Sequence, residues 1–426
     1  MPHRRTRLLV AAELPVVILI APALLFPTPA RLGVLAVVPV LWLAARVVTG
    51  HTLPPTPMNT AIQALLIMVG VSLVATPDLQ FSLGKVSGVI LGALFFWAVA
   101  RWLTTPQRLH TAATVFLLAG TGLALIGLLG VVDSNKLAAL SAITSRLPLR
   151  IRGVPGAEDG FNPNAVSGCL VLFLPFQFAL VATGVRHALE SYSRNPWSSR
   201  WPVVAQLALI VVTGGTLLLM QSRGAWVGLL VAGLAFMLWH SRWTRLTAAV
   251  GAGAVAMLIV CFGSAIEVDR VVGRSGAGIN DTVSGRSEIW TRAIYDIEDE
   301  PFTGMGMNTF RRMVPLVGPS RSIREGTDVA HAHNHLLQAA LDLGIPGVVA
   351  YAAIWIVTAA LLITVYRRAA EPIHRVMAGG LGAGLIAHFM FGMTDAIPLG
   401  AKVGILYWLT LALCVGLHRL AVADQN

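Results

Sequence analysis

The sequence predicts an all-α polytopic membrane protein of about twelve transmembrane helices, with one large, partly helical external loop. Three observations predict it. Of the 426 residues 56% are hydrophobic and only 12% charged, about half the charged share that a water-facing surface needs. The apolar residues arrive in blocks of roughly 17–23, the length that crosses a bilayer core as a helix. The blocks show no period-two alternation, which argues against a β-barrel and leaves helices to satisfy their own backbone in lipid.

The expected spans lie near 8–26, 32–48, 60–75, 82–100, 109–131, 164–184, 203–220, 225–240, 246–263, 344–366, 376–393 and 403–420. The opening MPHRRTRLLVAAELPVVILIAPALLFPTPARLG has a basic head and an apolar stretch, as a signal peptide does. Followed by so many further spans, it reads as a first transmembrane helix that stays attached. With the N-terminus inside, alternate connections carry Arg46, Arg101, Arg108, Arg186, Arg242, Arg245, Arg367, Arg368 and Arg375. The opposite short connections are nearly empty of Arg and Lys apart from the 132–163 loop. This is the positive-inside pattern, and it puts both termini in the cytoplasm. It also accounts for the net charge of +11, so no nucleic-acid partner is expected. Cys169, Cys261 and Cys414 lie far apart in apolar blocks and suggest neither a disulfide framework nor a metal site.

The chain therefore divides into helices at 1–263, a large external loop at 264–343 and further helices at 344–426. The loop holds 11 of the 20 carboxylates and eight arginines. Loops of such length are functional or disordered, and this one is not low-complexity. Within it, SGRSEIWTRAIYDIEDEPF predicts a helix with an apolar stripe at Ile289, Trp290, Ala293, Ile294 and Ile297. Ser284 is the expected cap, and Pro301, Gly304 and Gly306 end the element.

Three groups could carry chemistry. Arg223 interrupts the apolar run GGTLLLMQSRGAWVGLLVAG. Burying Arg in a membrane costs about 2.5–3.5 kcal/mol on insertion scales, so such residues face a cavity and have partners. A snorkelling arginine at a tight hairpin is the plain alternative, but the turn faces the side where the orientation rule disfavours basic residues. Arg286, at the expected start of the loop helix, either grips phosphate with help from the helix terminus or pairs with Glu288 or Asp281.

The third group is His331-Ala332-His333-Asn334-His335, followed by Gly344 and Gly347. Alternate histidines share a face only on a strand, and this segment leads into a helix, where a metal pair wants i, i+4 spacing. A metal site is the weaker reading, and none is assigned. A histidine at the membrane border suits proton abstraction from a sugar hydroxyl, with interfacial anchoring as the plain alternative. Lys85, His331, Asn334 and Asn164 are weaker candidates for substrate binding. Lys402 and Asp395 flank the last outer turn, and Asn162 and Asn164 are expected to form turn hydrogen bonds around Pro163.

Taken in order, these motifs resemble the O-antigen ligase and polymerase superfamily of bacterial envelope proteins. Ser222-Arg223-Gly224-Ala225-Trp226 is similar to that family's arginine turn, although Val227 stands where ligases often carry Leu. Gly285-Arg286-Ser287-Glu288-Ile289-Trp290, with Pro301, Gly304, Gly306 and Phe310, resembles the start of its periplasmic loop. His333 and Asn334, a nine-residue spacer, then Gly344 and Gly347 resemble the loop's end.

The resemblance implies a C-type glycosyltransferase architecture in the bacterial cytoplasmic membrane, with its active site facing the periplasm. It implies a polyprenyl-diphosphate-linked glycan donor and a glycan or glycolipid acceptor. Transfer would be metal-independent and inverting and need no cofactor. Arg223 and Arg286 would stabilise the departing diphosphate, and His333 would be the base. Ligase and polymerase stay undecided, because the motifs are shared. The rival from another class is a transporter of an anion or a lipid-linked precursor, which would favour broken helices and internal repeats.

Overall fold

The computed structural model describes residues 11–130, 138–147, 151–154, 158, 160–191, 201–240, 279–313 and 329–423. The described chain is all-α apart from isolated bridge residues. Its helices, in order, are α1 (Glu13–Leu25), α2 (Val37–Thr49), α3 (Asn59–Ala75), α4 (Leu79–Trp102), α5 (Pro106–Gly130), α6 (Ala138–Thr144) and α7 (Pro163–Ser191). There follow α8 (Trp201–Leu219), α9 (Arg223–His240), α10 (Ile279–Asp299), α11 (Phe310–Met313), α12 (His335–Arg368), α13 (Pro372–Gly392) and α14 (Ile405–Ala423). Among the described residues six helical stretches are long and apolar enough to cross a membrane: 31–49, 79–102, 106–130, 163–184, 335–368 and 402–422. Shorter apolar helices occupy Glu13–Leu25, Asn59–Ala75, Val203–Leu219 and Arg223–Leu238. The expected span at 246–263, together with Cys261, lies outside the described residues. Cys169 and Cys414 are free and buried.

Two compact units emerge. The first holds residues 1–116, 289–378 and 396–426. Here α4 packs on α1 and α14, and α12 packs on α3 and α14. Small residues allow the close approaches: a Cβ on Gly92 would fall 2.0 Å from Trp408 Nε1. Such contacts replace the hydrophobic driving force that lipid removes. Hydrogen bonds join the same helices, as where Ser87 Oγ donates to the Leu24 carbonyl at 2.7 Å. At the opposite end of α4, Arg101 is paired with Glu13 and donates to the Thr52 carbonyl.

The second unit holds residues 117–288 and 379–395. Here α7 packs on α8 and on α9, and Gln177 Nε2 donates to Thr213 Oγ1 at 3.1 Å between α7 and α8. The C-terminal half of α13 is received through glycines on both sides. A Cβ on Gly384 would lie 2.4 Å from the Leu172 carbonyl oxygen of α7, and one on Gly228 would lie 2.4 Å from the Ala387 carbonyl oxygen. His388 Nδ1 reaches the Gly168 carbonyl at 2.7 Å.

The loop helix differs from the expectation at its start. It begins at Ile279, so Ser284 lies inside the helix and is not its cap. Arg286 then sits about two turns in, beyond the reach of the N-terminal partial charge. The apolar stripe is narrower than expected. Ile289 and Ala293 are buried against Phe310, Val329, Ala332 and Leu341, with Trp290 and Ile297 packed beside them. Ile294 points away and is 47% exposed, because it is five residues from Ile289 and leaves the i, i+4 face.

The α12 stretch is two helices merged across a break at Gly344 (φ 68°, ψ 179°). The loop segment 301–306 closes on that break backbone to backbone. Ile345 N–H donates to the Pro301 carbonyl at 2.7 Å, and Met305 N–H to the Leu341 carbonyl at 2.8 Å. A Cβ on Gly304 would lie 2.6 Å from the Gly344 nitrogen. These glycines of the loop motifs are therefore required by packing, since no other residue has room. The following residues fasten to the start of α4. Met307 offers its carbonyl to Ser82 Oγ at 2.7 Å, Asn308 Nδ2 donates to the Phe81 carbonyl at 3.3 Å, and Arg312 pairs with Asp78.

Candidate functional site

In the second unit the arginine turn is built by a sharp reversal between α8 and α9. Gln221 adopts φ 53° and is buried together with Ser222. Trp226 N–H donates to the Ser222 carbonyl at 3.1 Å as α9 begins, which leaves Arg223 as the first residue of that helix. Gly224 allows the turn to press on the end of the α13 segment, since a Cβ there would lie 2.6 Å from Thr394 Oγ1. Arg286 of α10 interacts electrostatically with both Arg223 and Asp395. Burial pushes the Arg286 guanidinium below its ordinary value; Asp395 opposes that shift and Arg223 adds to it. Arg286 thus feels a second cation as well as a carboxylate, and guanidinium groups acting on one another suit a multiply charged anion. Asn164 lies in the first turn of α7, where its N–H donates to Asn162 Oδ1 at 2.8 Å, the turn hydrogen bond expected around Pro163.

In the first unit the histidine motif forms a tight turn. His333 adopts φ 50°, its N–H donates to His331 Nδ1 at 3.1 Å, and the two rings lie 4.4 Å apart. Asn334 caps the helix that follows, its Oδ1 accepting from Leu336 N–H at 2.9 Å and Leu337 N–H at 3.2 Å. That is the usual duty of Asn at this position, and it accounts for a small amide after the histidine. His335 turns inward, with Nδ1 3.2 Å from the Tyr351 hydroxyl.

Lys85, on α4, has an unexpected carboxylate neighbour in Asp342. Asp342 is buried and accepts from Asn308 N–H at 3.1 Å and from Gln338 Nε2 at 2.9 Å. Arg311 and Lys402 also act electrostatically on Lys85, and Lys402 Nζ sits 4.3 Å from the centre of the Phe26 ring. The sequence reading passed over Asp342 and Gln338. The available signal was a carboxylate at the head of an apolar span with a polar partner four residues before it, on the same helix face.

The fold and these groups define a polytopic helical membrane protein that carries clustered cations and a histidine turn at helix ends. Residues 208–352 match the model of the O-antigen ligase family, about a third of the chain, in one stretch that includes Arg223, Arg286, His331, His333, Gly344 and Gly347. The resemblance expected from the motifs thus holds over this stretch, and it supports a function of the ligase and polymerase kind. No curated protein matches the chain.

Proposed function

We propose that the protein is a membrane glycosyltransferase that moves a glycan from a polyprenyl-diphosphate carrier to an acceptor hydroxyl at the periplasmic face of a bacterial cytoplasmic membrane. In this reading twelve spans put both termini inside and the 264–343 loop outside. The observation that supports the proposal is the family match over 208–352, which takes in Arg223 and Arg286, two arginines far apart in sequence that act on each other electrostatically.

The reaction asks for this chemistry. The acceptor oxygen attacks the anomeric carbon, and His333 takes the hydroxyl proton. The bond from that carbon to the diphosphate oxygen breaks on the opposite face, so the configuration inverts. The bonding electrons leave on the lipid diphosphate, where the two guanidiniums stabilise the growing charge. Lys85, His331, Asn164 and Asn334 would contribute to binding. No step needs a metal or cofactor.

Ligase and polymerase chemistry differ only in the acceptor. The test is reconstitution in proteoliposomes with a polyprenyl-diphosphate glycan and either a glycolipid or a second lipid-linked glycan as acceptor. Release of free lipid diphosphate, with the acceptor enlarged, is the expected result. Movement of the lipid-linked glycan across the bilayer without bond cleavage would establish a carrier instead and overturn the proposal.

A further inference from the structure

We propose that Trp290 and Gln338 are positioning residues that clamp Ala332 and so hold the His331–His333 turn in its working shape. The inference rests on the reading of His333 as the base. Both backbone polar groups of Ala332 are engaged by side chains. Trp290 Nε1 donates to its carbonyl at 2.9 Å, and Gln338 Oε1 accepts from its N–H at 2.8 Å. Ala332 itself is fully buried, in the cluster formed by Ile289, Ala293, Phe310, Val329 and Leu341.

The turn needs such support. A left-handed backbone at a bulky residue such as His333 costs of order 1–3 kcal/mol and persists only where its surroundings fix it. The Ala332 clamp fixes the residue before His333, and the Asn334 cap fixes the residue after it. The orientation of Gln338 is itself determined. Its oxygen must face the Ala332 donor, so its amide nitrogen faces the Asp342 carboxylate, to which it donates at 2.9 Å. Lys85 attracts that carboxylate from α4. A chain of hydrogen bonds thus runs from Asp342 through Gln338 to the histidine turn, and Trp290 closes it from the loop helix. This gives the aromatic residue of the Gly285–Trp290 motif a task beyond filling space.

Three variants test the clamp, each compared with wild type in donor turnover and in the 15N resonances of the His331 and His333 rings. Trp290→Phe keeps the ring and removes the N–H; it should lower kcat about tenfold, as for one lost hydrogen bond, with donor KM held within about twofold. The imidazole resonances should move with it. Gln338→Glu keeps the acceptor but sets carboxylate against carboxylate, and should also lose activity. Adding Asp342→Asn restores a donor opposite Glu while conserving net charge, and should bring kcat back to within about threefold of wild type. Wild-type kcat and unmoved resonances in Trp290→Phe would overturn the clamp, and so would a double variant no faster than Gln338→Glu alone. His333→Ala, run in parallel, separates the two ideas. If it turns over normally, the base assignment has failed and the resonance shifts alone decide the clamp.

Discussion

Gly344 and Phe302 meet backbone to backbone: a Cβ on Gly344 would lie 2.6 Å from the carbonyl carbon and oxygen of Phe302. The glycine also holds φ 68°, so a side chain there is refused twice, by space and by backbone conformation. Gly344→Ala should therefore loosen the loop from the head of α12. The expected cost is of order 1–3 kcal/mol, read as a lower unfolding midpoint in detergent and faster proteolysis of the loop. Gly347→Ala would set a methyl 2.2 Å from Leu343 Cβ, an atom that moves only with its backbone, and should loosen the same turn.

Arg223→Ala and Arg286→Ala should each lower transfer about 10²–10³-fold, the usual loss when one donor to a developing negative charge is removed. Lysine at either position should recover only part of the rate, because an ammonium cannot grip phosphate through two parallel bonds. Turnover of a polyprenyl-diphosphate glycan by the purified variants checks this, with circular dichroism showing that each is folded.

Lys85 and Asp342 attract each other electrostatically. Lys85→Met or Asp342→Asn removes that attraction and should destabilise the first unit by about 1 kcal/mol, since Lys85 is partly exposed. The double variant should be less destabilised than the two single changes summed. A thermal-unfolding double-mutant cycle measures the coupling.

Gly228→Leu should disrupt the second unit, since the Ala387 carbonyl oxygen would lie 2.4 Å from even its first carbon. Because α9 starts at Arg223, a shifted α9 would also move that guanidinium. The variant should lose most transfer activity despite bearing no change in any chemical group of the site. Disulfide formation between Gly224→Cys and Thr394→Cys in a cysteine-free background, with and without Gly228→Leu, would detect the shift.

Much of this was legible in the sequence, because membrane helices write themselves as apolar blocks. The arginine turn was legible for the same reason, as a charge standing where lipid would not tolerate it. The sequence starts a span near 344 but does not show that a helix already runs from His335 and breaks at Gly344, where the loop backbone closes from residues 301–306. The start of α10 was misread because Ser284 fits a capping pattern that the residues before it override by continuing the helix. Asp342 and Gln338 stayed hidden for a different reason. Their meaning lies in partners at Ala332, Asn308 and Lys85, which only the folded chain brings near.

The unbroken helix after Gly344 has a consequence for where the histidines stand. From Ile345 to Arg368 the rod runs about 36 Å at roughly 1.5 Å per residue, a little more than the ~30 Å hydrocarbon layer. In the proposed topology Arg367 and Arg368 stand at the inner surface, and the rod would act as a ruler that sets the height of the histidine turn above the lipid. A thicker or thinner bilayer would change the tilt of that ruler, so the proposed transfer should vary with acyl-chain length, measured as turnover in proteoliposomes of graded thickness.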